Sequence, residues 1–253
     1  MASGSDSRDH SDHGPDRSDA VPTAPSRFGL LNTEHAPGQS HDRGRGPAEI
    51  DFSHGDVAAF PPPPGTAETI ARALADGGRW AYSSYRGHAR TRNRLATRLA
   101  DLTGAPIDPE RELLISAGTQ AGIFLALSAI VEHGDHVAVA APDYLAYRKI
   151  VQYLGARICD VPLNYCDGAT PGELDLDALR RAFAAGARVL AFSNPNNPTG
   201  VVYSGEHLAD VCDVVSQFGG FVIIDQLYCR QVFEAPWMIV GDCGAPTGGG
   251  FRV

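Results

Sequence analysis

From Ile50 onward the chain alternates short apolar runs with stretches in which apolar residues return every three or four positions. That helical period predicts helices over 66–75, 88–102, 121–131, 144–154, 174–185 and 206–217, most of them closed by a nearby glycine. Strand-like runs lie between them at 112–116, 136–140, 157–161, 188–193 and 221–225. Runs such as Val189-Leu190-Ala191-Phe192 and Phe221-Val222-Ile223-Ile224 are apolar at consecutive positions, as expected of parallel strands covered on both faces. The β-α-β-α order predicts a three-layer α/β/α fold on a mostly parallel sheet, with ligands bound at the carboxyl ends of the strands.

The pattern is absent at both ends. Residues 1–46 are rich in Ser, Asp, Gly, His, Pro and Arg, too polar to bury the surface that offsets chain entropy, and are read as a disordered tail. Its histidines, His10, His13, His35 and His41, lack fixed spacing to other ligand types and are read as solvated. The folded region is placed at 47–233. Regularity then collapses, and 234–253 is read as an irregular Gly-rich end.

Composition narrows the chemistry. Lys plus Arg number 21 against 30 Asp plus Glu, a formal charge of −9, which disfavours a nucleic-acid partner because phosphate neutralisation needs a clustered positive surface. No apolar stretch reaches the roughly 18 residues of a membrane helix, and no basic-then-apolar leader opens the chain. The five cysteines, Cys159, Cys166, Cys212, Cys229 and Cys243, contain no C-x-x-C pair, and their odd number favours reduced thiols and a cytoplasmic protein. Lys149 is the only lysine.

Four motifs stand at predicted strand ends. Asn194-Pro195-Asn196-Asn197-Pro198-Thr199-Gly200 follows the buried run ending at Ser193; alone it reads as a turn, but at a strand's carboxyl end the Asn197 amide faces a ligand. Asp225-Gln226-Leu227-Tyr228 closes the next strand. An aspartate there also reads as a helix cap, yet a carboxylate behind four apolar residues needs a cationic partner, for which a protonated pyridine nitrogen is suited. Ser116-Ala117-Gly118-Thr119-Gln120 leads into a very apolar helix, and reads either as an ordinary glycine turn or as an anion site made by free N–H groups. In Ala141-Pro142-Asp143-Tyr144, Asp143 is expected to cap the following helix, with Tyr144 in its first turn, stacked on a flat ring or merely packed.

Taken together, in order and spacing, these motifs resemble the class I/II (fold type I) pyridoxal-phosphate-dependent aminotransferases, over about Ile50 to Phe233. The resemblance implies pyridoxal 5'-phosphate as cofactor. It assigns Asn197 and Tyr228 to the cofactor's phenolic oxygen, Asp225 to its pyridine nitrogen, Gly118, Thr119 and Gln120 to its phosphate, and Tyr144 to the ring face. Tyr82, in Tyr82-Ser83-Ser84-Tyr85-Arg86-Gly87, resembles the tyrosine that reaches the phosphate of a neighbouring subunit, with Tyr85 as an adjacent competitor. The implied activity is ping-pong transfer of an amino group from an amino acid to a 2-oxo acid in a homodimer. Gln226 departs from the frequent glutamate of the D-E-x-Y form, at a position beside the cofactor.

The larger departure is the lysine that holds the cofactor covalently and shuttles the proton. In the family it lies some tens of residues beyond the D-x-x-Y motif, and the substrate-carboxylate arginine further still, both beyond Val253. Lys149, inside an amphipathic helix, is read as solvated, so no catalytic residue is assigned. The expectation is therefore a truncated or frameshifted chain that recognises cofactor without turnover, with a sheet exposed enough to need a partner. The alternatives are a lyase or decarboxylase of the same fold, and a non-catalytic binding module.

Overall fold

The computed structural model describes residues 61–76, 82–164, 172–230 and 232, together with the backbone of 251–252. The 1–46 segment and most of 234–253 lie outside the described residues. Of that last segment, Phe251–Arg252 forms a short strand.

In chain order the elements are α1 Thr66–Ala75, α2 Ala89–Thr103, α3 Thr119–Ile130, β1 His136–Ala141, α4 Leu145–Tyr153, β2 Arg157–Asn164, β3 Glu173–Leu174, α5 Leu176–Ala184, β4 Ala187–Ser193, α6 Gly205–Gln217, β5 Phe221–Asp225 and β6 Phe251–Arg252. The sheet order is β3-β2-β1-β4-β5-β6, with β3 antiparallel to β2 and every other pairing parallel.

The period of two along a strand sends alternate residues to opposite faces. Val137 and Val139 of β1, Val189 and Ala191 of β4 and Ile223 of β5 pack with Ile123 and Leu127 of α3 and Tyr147, Ile150 and Val151 of α4. Their neighbours Ala138, Ala140, Leu190, Phe192, Val222 and Ile224 pack on the other face with Leu179 and Phe183 of α5 and Leu208, Val211, Val214 and Val215 of α6. The fold is thus three-layered, and the consecutively apolar strands are apolar because both faces are covered.

This layering singles out one point on the sheet edge. The helix leaving β1, α4, lies on one face, while α6, which leaves β4, lies on the other. Since β1 and β4 are neighbours, the chain diverges at their carboxyl ends and leaves a crevice, the topological switch point of an open parallel sheet.

Three sequence expectations are corrected. Residues 112–116 form no strand; Ile115 N–H donates to the Arg86 carbonyl, but no ladder follows among the described residues, and an apolar run without a ladder partner stays a loop. The helix predicted to open at 174 starts at Leu176, because Glu173–Leu174 pairs with Leu163 and Asn164 and the Asp175 carboxylate caps the helix by accepting from Ala178 N–H at 2.8 Å. Cys212 on α6 is disulfide-bonded, while Cys159 and Cys229 are free thiols. An odd cysteine count leaves at least one thiol over without forbidding a pair. Among the described residues no helix is long and apolar enough to cross a membrane.

At the α5–α6–β5 junction the backbone of Gly220 lies against Phe183. A Cβ there would stand 2.4 Å from Phe183 Cε1 and 3.0 Å from the Arg188 carbonyl oxygen. Gly220→Ala is expected to destabilise the fold by about 1–3 kcal/mol through overpacking, measured as a lower denaturation midpoint. An unchanged midpoint would show that the junction yields freely.

Candidate functional site

The β1 end enters the crevice as Pro142-Asp143-Tyr144. Asp143 does not cap α4. Its carboxylate turns across the sheet edge instead, where Oδ1 accepts from Ser193 Oγ at 2.6 Å and Tyr144 N–H at 2.6 Å, and Oδ2 accepts from Ser193 N–H at 2.9 Å and Asn196 Nδ2 at 3.0 Å. Tyr144 is the residue before α4 rather than part of its first turn, and its side chain is partly exposed. The reason is competition. A buried carboxylate gains more from several donors at the end of β4 than from the N–H groups of an exposed helix end, which water satisfies.

The β4 end supplies those donors. Asn194 N–H donates to the Asp225 carbonyl at 2.8 Å, and Asn194 Oδ1 accepts from Tyr203 N–H at 3.1 Å. Asn196 Nδ2 faces Asp143 while its Oδ1 accepts from Thr199 Oγ1 at 2.6 Å, which closes the turn. Asn197 N–H donates to Ser193 Oγ at 3.0 Å. Of the paired asparagines Asn196 is buried and Asn197 half-exposed, so the loop is built on the first and presents the second. The Ala141-Pro142, Asn194-Pro195 and Asn197-Pro198 peptide bonds are cis.

One strand over, in register with Ser193, Asp225 closes β5. Its carboxylate is buried at 6% exposure and accepts from Leu227 N–H at 2.9 Å. Burial holds its pKa above the usual carboxylate range. Tyr228 follows, half-buried, in the turn. Tyr147, wholly buried on α4, donates its hydroxyl to the Phe192 carbonyl at 3.1 Å; burial first, then the charges of Asp225 and Asp143, push its phenol pKa up.

The connection from α3 to β1 spans only residues 131–135, so α3 runs back along the sheet with its N-terminus at the edge holding these loops. Gly118 precedes it at φ 86° and ψ 168°, backbone that glycine alone adopts readily, and a Cβ there would meet open space. The first described bond into the helix is Gly122 N–H to the Gly118 carbonyl, and no side chain caps α3, which leaves the N–H groups of Thr119, Gln120 and Ala121 available. The edge thus offers a buried, cation-seeking carboxylate and an anion-accepting helix end. These suit a ligand with a protonatable ring nitrogen and a phosphate.

Tyr82 stands apart, its side chain fully exposed, as does Tyr85. Lys149 is exposed on α4. Sequence reasoning missed Ser193, Asn196 and Tyr147 as parts of the site. The available signal was a serine ending the apolar run Val189–Phe192 and a doubled asparagine, of which only one can face outward.

Asp143 titrates against its burial, which pushes its pKa from 3.8 up to about 6 despite the hydrogen bonds and with a further rise from Asp225. A carboxyl whose folded pKa is raised favours the folded state while neutral. Its contribution is complete below about pH 4 and is lost as pH climbs toward about 6. Asp143→Asn is therefore expected to gain stability over the parent chain between pH 4 and 7, by about 3 kcal/mol. Paired denaturation curves at the two pH values check this, and parallel curves at both would contradict it.

The family model for aminotransferase class I and II matches residues 48–244. An aspartate aminotransferase structure from Rhodobacter sphaeroides superposes with a TM-score of 0.71 at 44% identity, over 77% of this chain and 50% of that one. The N-succinyldiaminopimelate aminotransferase of Mycobacterium tuberculosis superposes at 0.65 with 32% identity, over 70% of this chain and 45% of that one. The aspartate/prephenate aminotransferase of Thermus thermophilus is 29% identical over 175 residues, 69% of this chain and 44% of that protein. The chain spans about half the length of such relatives, and with its three-layer sheet and strand-end loops it belongs to the class I and II aminotransferases.

Proposed function

We propose that this chain forms a pyridoxal-phosphate cradle, and that the 253 residues by themselves bind the cofactor without covalent attachment and without transamination. The observation that carries the reading is the buried Asp225 carboxylate at the β5 end, one strand from the Asn197 loop. The family is in general pyridoxal-phosphate-dependent, and the residues of the strand ends fit the group.

In this reading Asp225 holds the pyridine nitrogen protonated, since a buried carboxylate stabilises a cation beside it. Asn197 and Tyr228 donate to the phenolic oxygen and fix the ring's orientation. Gly118, Thr119 and Gln120 hold the phosphate through backbone N–H groups and the Thr119 hydroxyl, and Tyr144 covers one ring face. Tyr82, exposed in this chain, serves the site of a second copy in a homodimer. When bound, pyridoxal phosphate supplies the electron sink for labilising bonds at the amino acid's Cα. The amino-acid and 2-oxo-acid substrates, and a cytoplasmic setting, belong to the same proposal. No lysine besides Lys149 is present, and Lys149 is exposed on α4, so covalent anchoring and proton transfer at Cα have no residue here.

Titrating pyridoxal phosphate into the purified chain is expected to give saturable binding by absorbance, with no cofactor retained covalently after borohydride reduction. Asp225→Ala should weaken binding roughly 10- to 100-fold, the loss of one charge-assisted contact, and Lys149→Ala should leave it unchanged. Borohydride-stable labelling that Lys149→Ala abolishes would overturn the non-covalent reading, and absence of saturable binding would overturn the cradle itself.

A further inference from the structure

The carboxylate that closes the crevice has no role in the cradle as just drawn. Asp143 lies beyond β1, and three of its four partner groups lie at the end of β4, so it spans the point where the chain diverges to opposite faces. All four groups are donors. Ser193 N–H, Asn196 Nδ2 and Tyr144 N–H have no other option, and Ser193 Oγ must donate its single proton to Asp143 because it already accepts from Asn197 N–H at 3.0 Å.

We propose that Asp143 is the positioning residue of the site. Its ionised carboxylate clasps the crevice and, through Ser193 and Asn196, sets Asn197, while through the Tyr144 amide it sets the aromatic side chain.

Each link is directional. Because Nδ2 of Asn196 faces the carboxylate, its Oδ1 must face Thr199, where it accepts from the hydroxyl at 2.6 Å and the amide at 3.3 Å. That turn is carried on by Gly200 N–H to the Asn196 carbonyl and Asn196 N–H to the Val201 carbonyl, each at 2.8 Å. Asn197 sits inside the loop so closed, its own N–H held by the serine that Asp143 orients. A protonated Asp143 would present a hydrogen to a ring of donors. Either one contact breaks, or the Ser193 hydroxyl reverses and its proton loses its acceptor.

Among the described residues, the titratable groups facing Asp143 are Asp225 at the end of β5, Tyr147 on α4 and Tyr203 before α6. None of these is a cation, so its described partners are neutral donors, and its burial is a cost carried for geometry. A residue present only for structure would have stability and cofactor affinity move together on replacement. A positioning residue of this kind moves them apart.

The inference rests on the cradle reading, and the test separates the two. Pyridoxal phosphate is titrated into the parent chain, Asp143→Asn and Ser193→Ala between pH 5 and 8, with amide hydrogen exchange of residues 193–199 followed in the absence of cofactor. Asp143→Asn is expected to bind about tenfold more weakly at pH 7.5, to exchange faster over 193–199, and to be no less stable than the parent at that pH. The parent's affinity should fall, relative to that of Asp143→Asn, as pH drops through about 6; the variant carries the titration of the cofactor and of Asp225 alone and so serves as the reference. Ser193→Ala keeps the carboxylate and should reproduce the faster exchange and weaker binding, which preserves the test if Asp143→Asn does not fold. Equal affinity, pH profile and exchange in parent and variants would overturn the role of Asp143 while leaving the cradle standing. So would stability and affinity falling together. Failure of the parent to bind at any pH would overturn both.

Discussion

One carboxylate holds the working edge of this molecule together. A parallel sheet whose flanking helices leave adjacent strands on opposite faces opens at their carboxyl ends, and nothing in the backbone ladder closes the gap. Here Asp143 closes it, accepting from the backbone and hydroxyl of Ser193, the Asn196 amide and the Tyr144 amide. The Asn194–Thr199 turn, the approach of Asn197 to Ser193 and the entry into α4 all follow from where those donors must point.

The arrangement sets charge against burial. Asp143 and Asp225 lie at one sheet edge, both largely removed from water and both raised in pKa chiefly for that reason. Two such acids with no cation among their described neighbours make the edge less stable than a neutral replacement would, the strained condition expected where geometry serves a ligand rather than the fold. A ligand presenting a positive ring nitrogen relieves part of it at Asp225. In the proposed cradle the phosphate would lie at the uncapped N-terminus of α3, which offers N–H groups and a favourable dipole.

Much of this was legible from the chain alone. The two faces of β1, β4 and β5 were written in consecutive apolar residues, and α1 and β5 have the bounds the periodicity predicts. Asn197, Asp225 and Tyr228 stand at or just beyond the strand ends their motifs follow, Gly118 stands before α3 but after a loop rather than a strand, and Lys149 is exposed as an amphipathic helix requires. The errors share a cause: residues 112–116 read as a strand because apolar content says nothing about a ladder partner, and Asp143 read as a cap because a local rule cannot see a serine 50 residues away.

By itself, then, the sequence determined the α/β alternation, the faces each element buries and the residue types delivered to the strand ends, because those depend on local period and on chemistry carried residue by residue. Only the tertiary structure decided that Asp143 bridges to Ser193, that Asn196 turns inward and Asn197 outward, and that Tyr82 stands free of the strand-end cluster. The physical reason is that these depend on which strands become neighbours. In this fold β1 sits beside β4 rather than beside the strand that follows β4, and that neighbourhood is set by helices crossing the sheet over tens of residues, beyond the reach of any local pattern.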